Sequence, residues 1–332
     1  MNNYPTAIGI DIGRYQITSA VIRSDGALLV SNATTLDARQ DKDSLVRAVT
    51  TAIRTMRSEA AGMRLNPVCA GVAAKGFINS TSGTIIGPDR GIEGWTDVPL
   101  ARLLNRETSL PVYVDNDANL MTLAEFRLGA ARGHKNVVFI SLRTGIGGGI
   151  IIDGKLYRGV NNSGAEFGQM IIDFKGDRNK KGIPGTLESY ASSQALVDSF
   201  IRATEDASTS EFTPQPVSPP LTAQNQLKAR DVFELHYNGN GFATAAVMEN
   251  ARYIGIGIAN LTSLFSPEIV VLGGGMANEG DDYIGEIKRV ALENTFEYYR
   301  NNLVIARAGL GQSAAITGAA LFALSRLSGK HV

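Results

Sequence analysis

Residues able to do chemistry gather at a few places in the chain. Asp11-Ile12-Gly13, Thr144-Gly145-Ile146-Gly147-Gly148-Gly149 and Gly273-Gly274-Gly275 each follow an apolar, strand-like run. Such turns bring backbone N–H groups, with no Cβ in the way, up to the phosphates of a ligand. Thr144 adds a hydroxyl donor. A plain hairpin explains the first turn equally well, and a loop leaving a buried strand explains the third. Asn116-Asp117 follows another short apolar run. An aspartate beside an amide that both donates and accepts suits recognition of a sugar hydroxyl and removal of its proton. The same dipeptide also suits an Asx turn that caps a helix starting at Ala118. In Gly164-Ala165-Glu166-Phe167-Gly168-Gln169, with Glu188 further on, two carboxylates and an amide could accept the O–H groups of a pyranose. Solvated surface glutamates are the plainer alternative.

The elements that must position these residues follow from periodicity. Ala7 to Ile12 and Ile17 to Ile22 are β-branched runs, and Ser24-Asp25-Gly26 closes a hairpin after them. Leu45, Val46, Val49, Ile53 and Met56 recur at helical spacing, whereas Val68 to Ala73 reads as a buried strand. Val112 to Val114 is a strand that runs into acidic residues, and an Ala/Leu/Glu-rich helix follows from about Ala118 to Leu128. At Val137 to Leu142 the opening pattern returns: strand, glycine turn, then the strand Ile150 to Ile152 and the hairpin Asp153-Gly154. A duplicated α/β unit is expected, two similar domains with a cleft that takes a small ligand. Further helices are read from about Gly241 to Leu264 and from Ser313 to Leu327, with the strand Ile269 to Leu272 between them.

Composition narrows the partners. The chain has 332 residues, about two domains at roughly 150 residues each. Its 32 basic and 32 acidic residues cancel, so no net field recommends nucleic acid or an anionic membrane, and a small-molecule substrate is expected. One cysteine, Cys69, with His134, His236 and His331, cannot build a Cys-rich zinc site or an intrachain disulfide. No run approaches 18 apolar residues, and Met1 to Pro5 lacks a signal-peptide layout, so a cytoplasmic, unanchored protein is expected.

Taken in order, Asp11-Ile12-Gly13, Asn116-Asp117-Ala118-Asn119, Thr144 to Gly149, Gly154-Lys155-Leu156 with Gly159, Ala165-Glu166-Phe167-Gly168 and Gly273-Gly274-Gly275 resemble the ROK family. That family comprises bacterial sugar kinases and sugar-responsive repressors of actin-like fold. The resemblance runs from about residue 7 to 325. It implies a two-domain, actin-like (ribonuclease H-like) α/β fold. The N-terminal domain would span 1–117 and be joined by the C-terminal helix 313–332; the C-terminal domain would span 118–312, with a flexible insertion at about 204–222. It further implies an ATP-dependent hexose kinase, commonly homodimeric. Asp117 would be the general base toward a sugar 6-hydroxyl. Gly76, Asp89, Asn116, Glu166, Gln169 and Glu188 would hold the sugar. Gly13, Thr144 and Gly145 would touch the ATP phosphates, Asp11 the magnesium through water, and Gly273 and Gly274 the adenosine.

The chain departs from the family pattern at definite positions. Arg14 and Tyr15 replace a glycine and a threonine of the first phosphate turn, a form more like the family's repressors, and Arg143 replaces a glycine before Thr144. Gln169 stands where most members have a histidine, and Asp173 to Thr186 lacks their zinc-binding cysteines, so no structural zinc is expected. Polyphosphate glucokinases of the family also lack those cysteines, and Arg178-Asn179-Lys180-Lys181 could meet a polyanion. The rival reading is a sugar-sensing protein without catalysis. Because the first strand begins near residue 7, with no helix-turn-helix before it, a DNA-binding role is not expected.

Overall fold

The computed structural model describes residues 4–37, 40–87, 92–208 and 227–329. Asp89 and most of the insertion read at 204–222 lie outside them; residues 204–208 continue a helix. In chain order the main elements begin with β1 (Thr6–Ile12), β2 (Gln16–Arg23), β3 (Leu28–Thr35), α1 (Lys42–Gly62), β4 (Ala70–Ala74), α2 (Leu100–Thr108), β5 (Val112–Asn116) and α3 (Asp117–Leu128). They continue with β6 (Val137–Leu142), β7 (Ile146–Ile152), β8 (Lys155–Tyr157), α4 (Leu187–Ala191), α5 (Ser193–Ser208), α6 (Ala229–Tyr237), α7 (Gly241–Phe265), β9 (Ile269–Gly273), α8 (Asp281–Glu293), β10 (Val304–Arg307) and α9 (Ala314–Leu327).

Two five-stranded sheets carry the same plan, β3-β2-β1-β4-β5 and β8-β7-β6-β9-β10. In each, the first three strands in sequence form one side and the last two the other. In the first sheet the opening strands pair antiparallel and β1, β4 and β5 run parallel. The second repeats an antiparallel β7–β8 pair and a parallel β9–β10 pair. The duplication read from the sequence is thus a repeat of topology.

The chain divides into two compact units, Met1–Val137 with Gly149–Ala165 and Gly309–Val332, and Val138–Gly148 with Glu166–Ala308. In the first, Leu45, Val49, Ile53 and Met56 of α1 bury one side of the helix against Ile8, Ile10 and Val21 of the sheet. A capping box between Asp41 and Ser44 starts that helix. The opposite sheet face receives α9 through Ile316, Ala320 and Ala323. This contact requires glycine: a Cβ on Gly71 would collide with the backbone carbonyl of Ala319, and one on Gly318 with that of Leu120. The Ala/Gly composition of α9 is therefore what lets it lie on β4 and α3 at close range. In the second unit α7 and α8 pack together, and the fully buried Tyr283 donates its hydroxyl to Asn250 Oδ1 at 2.7 Å.

The glycine run of the second sheet differs from the sequence reading. Only Arg143, Thr144 and Gly145 form the turn; Gly147, Gly148 and Gly149 lie within β7. A Cβ at Gly148 would meet the Phe167 ring and the Phe139 carbonyl, so this strand has bare backbone because its neighbours are too near.

Candidate functional site

In the first unit the Asn116-Asp117 pair sits where β5 ends and α3 begins. Asn116 is the N-cap, with extended backbone (φ −63°, ψ 141°), and its Oδ1 accepts from the N–H groups of Ala118 (2.9 Å) and Asn119 (3.2 Å). Its Nδ2 donates to the Gly76 carbonyl at 3.1 Å. The helix-cap alternative is therefore realised by the asparagine, and the same side chain also ties down the Gly76 loop, where φ is +98°. Asp117, in the first turn, is half-buried, and its Oδ1 accepts from the Ala118 N–H at 2.9 Å. A carboxylate here gains from the positive end of the helix dipole.

Two residues not singled out in the sequence lie directly behind this tip. Asp115 is 1% exposed and pairs with Arg158, whose Nε and Nη2 donate to Oδ2 at 2.9 and 2.8 Å. Asp115 Oδ1 accepts from the Asn116 backbone N–H at 2.8 Å. A strand-end aspartate and an arginine 43 positions later carry no local signature; only the fold pairs them.

Asp11 is half-buried on β1. The turn after it is a tight hairpin in which the Gly13 N–H donates to the Gln16 carbonyl at 3.0 Å. Arg14 and Tyr15 occupy its apex with exposed side chains, the guanidinium 5.4 Å from the ring centroid. Arg14 lacks the bare backbone of a glycine, and Tyr15 carries its hydroxyl at the far end of a ring rather than on the short side chain of a threonine.

In the second unit, Gly145, Gln169 and Glu188 come together. Glu188, in the first turn of α4, accepts the Ile146 N–H on Oε2 at 2.9 Å and the Gln169 Nε2 on Oε1 at 3.3 Å. The carboxylate stands so near the turn that a Cβ on Gly145 would lie 2.5 Å from Oε2. Gln169 Oε1 in turn accepts from Asn179 Nδ2 at 3.3 Å. The cysteine-free segment Asp173 to Thr186 is closed by hydrogen bonds. Asn179 Oδ1 accepts from the N–H groups of Lys181 (2.9 Å) and Ile183 (3.1 Å), and the Tyr190 hydroxyl donates to Asp173 Oδ2 at 2.8 Å. Burial, reinforced by Asp173, pushes the Tyr190 phenol up to about 12, so it remains a donor. Glu166 is exposed ahead of the one-turn 3-10 helix Phe167–Gln169, and Thr144 is exposed in its turn. Gly273 ends β9, and Gly274 follows with φ +90°. A Cβ there would strike the Leu142 backbone, so this crossing of β6 demands glycine.

Chemically, each unit carries a polar cluster of its own. The first offers a carboxylate at a helix start, the second a carboxylate–amide pair against a glycine turn. An ionised Glu188 has about four lone-pair sites, of which these bonds use two, so it can still accept ligand hydroxyls. Gly13, Gly145 and Gly274 place main chain without a side chain of its own at these turns, the backbone type that a phosphate-bearing ligand requires, while the space beside each is taken by the Gln16 carbonyl, the Glu188 carboxylate and the Leu142 backbone.

A family model described as the ROK family matches residues 7–326. The chain is similar to a glucokinase of Halalkalibacterium halodurans, 33% identical over 284 residues, or 85% of this chain and 84% of that one. Among solved structures it is similar to a ROK family glucokinase from Streptomyces griseus in complex with glucose and AMPPNP (TM-score 0.78, 30% identity, 95% of this chain and 98% of that chain). It is also similar to a ROK family transcriptional regulator described as a homolog of the E. coli MLC protein (TM-score 0.83, 25% identity, 98% of this chain and 79% of that chain). These likenesses match the two-sheet α/β architecture to the actin-like fold expected from the motifs.

Proposed function

Given that the chain belongs to the ROK family, we propose that it is an ATP-dependent hexose kinase in which Asp117 is the general base toward the sugar 6-hydroxyl. The observation that carries this reading is the β5–α3 junction, where a half-buried carboxylate stands at a helix start beside an amide already fixed by its cap. Support comes from the glucokinase relative at 33% identity and from the likeness to a glucokinase bound to glucose and AMPPNP.

In this mechanism Asp117 accepts the hydroxyl proton as the sugar oxygen attacks the γ-phosphorus in line and ADP departs. Asn116, with Oδ1 committed to the cap, offers its amide N–H to the sugar and keeps the Gly76 backbone in place. Glu166, Glu188 and Gln169 receive ring hydroxyls, and Asp89 is assigned the same duty. The Gln169 amide is held by its neighbours, its oxygen accepting from Asn179 and its nitrogen donating to Glu188. Gly13, Thr144 and Gly145 are assigned to the phosphates, Asp11 to magnesium through water, and Gly273 and Gly274 to the adenosine. Magnesium would supply neutralisation of charge on the transferred group. The gain lies in positioning and electrostatics.

A second reading, a sugar sensor without turnover, is favoured by one specific feature. The exposed Arg14 and Tyr15 at the first turn go with the likeness to the transcriptional regulator. Calorimetry with ATP-magnesium separates the two. The kinase reading expects saturable nucleotide binding by the wild-type chain; absence of binding, with glucose still bound, would favour the sensor.

A further inference from the structure

We infer that Arg158 is a positioning residue for the transfer proposed above: its guanidinium fixes Asp115, and through Asp115 it sets the strand tip that carries Asn116 and Asp117. The inference rests on the kinase reading for its catalytic consequence, but its geometry stands alone. Asp115 and Arg158 form a buried pair, with side chains 1% and 15% exposed. The Nε and Nη2 bonds fall on Oδ2, at 2.9 and 2.8 Å. Oδ1 is thereby left to the tip, where it accepts the Asn116 N–H at 2.8 Å and the Asn119 amide at 3.4 Å. The guanidinium also lies 5.5 Å from the centroid of the Phe322 ring on α9, which holds it from another side.

The same residue anchors a second segment. The Arg158 carbonyl accepts the Gly164 N–H at 2.9 Å, and between them Asn162 Oδ1 accepts the Ser80 hydroxyl at 3.2 Å. The chain is thus fastened just ahead of Glu166. Arg158 therefore joins, in one unit, the tip that bears the proposed base and the segment that leads to a proposed sugar ligand.

Removing the guanidinium strands a buried carboxylate, which must turn toward water or take up a proton. Either change releases or weakens the Asn116 N–H bond next to Asp117. Displacement of a reacting group by about 1 Å can cost about 100-fold in rate.

The test compares the wild-type chain with Arg158→Met and Arg158→Lys, assayed for ATP-dependent glucose phosphorylation well below their melting temperatures. We expect kcat of the Met variant to fall about 100-fold with glucose KM changed far less. The Lys variant, which keeps the charge, should recover part of the loss and serves alone if the Met variant fails to fold. Equal kcat in wild type and both variants overturns the inference and leaves the kinase reading intact. A wild type that phosphorylates no hexose overturns the kinase reading instead. Backbone amide exchange over residues 116–119 then decides the coupling: faster exchange in the Met variant upholds it, and unchanged exchange refutes it.

Discussion

At the residue scale, the candidate residues of each unit already have structural duties. Asn116 caps α3, and Glu188 binds the Ile146 N–H of the glycine turn. A ligand would meet groups whose orientation is set before it arrives. Gly145 shows how tight that arrangement is. In Gly145→Ala the new Cβ would stand 2.5 Å from Glu188 Oε2, so the carboxylate must withdraw and give up its 2.9 Å bond to Ile146. An orphaned N–H costs about 1–3 kcal/mol, and glucose affinity should fall about tenfold in calorimetry while the fold persists. Affinity within twofold of wild type would show that Glu188 does not hold the sugar.

At the element scale, the strands and helices nearest the motifs were legible in the sequence because their signals are local. The reading of Ala118 to Leu128 as a helix meets α3 at Asp117–Leu128, and Val137 to Leu142 is β6 residue for residue. The misread stretch, Gly147 to Gly149, looks like a turn by composition but is a strand, because tertiary crowding by Phe139 and Phe167 selects glycine there. Long-range ties were illegible for a plain reason. Glu125, fully buried, accepts backbone N–H groups from Ala130, Gly309 and Leu310 at 2.8–2.9 Å, and nothing in an Ala/Leu/Glu helix announces partners 184 and 185 positions away. Asp115 with Arg158 is the same case at the site itself.

Ion pairing between elements also makes stability depend on pH. Hydrogen bonds from Arg289 and Arg252 to Glu286, outweighing its burial, lower the carboxyl from 4.5 to about 2. The native state therefore binds that proton less tightly than the unfolded chain. The stabilisation is present above 4.5 and lost as pH falls toward about 2. Thermal melts of wild type and Glu286→Gln should differ above that window, and the gap should close on acidification; a gap constant with pH would contradict the assignment.

At the scale of the whole molecule, two sheets of identical strand order argue that one α/β plan has been used twice. The sequence repeated the strand–turn–strand pattern visibly, while the later strands and helices of each copy differ enough that only topology relates them. Relatives of this ROK family chain include glucokinases and xylose repressors, and in our reading the Asn116-Asp117 junction argues for the first kind of role and the Arg14-Tyr15 turn for the second. The most direct measurement is ATP-dependent phosphorylation of glucose and other hexoses by the wild-type chain and by Asp117→Asn, with sugar affinity measured in parallel. Our account predicts turnover by the wild type and a loss of at least about 100-fold in the variant, with affinity largely kept. Turnover equal in the two proteins, or absent from the wild type on every hexose, would contradict it.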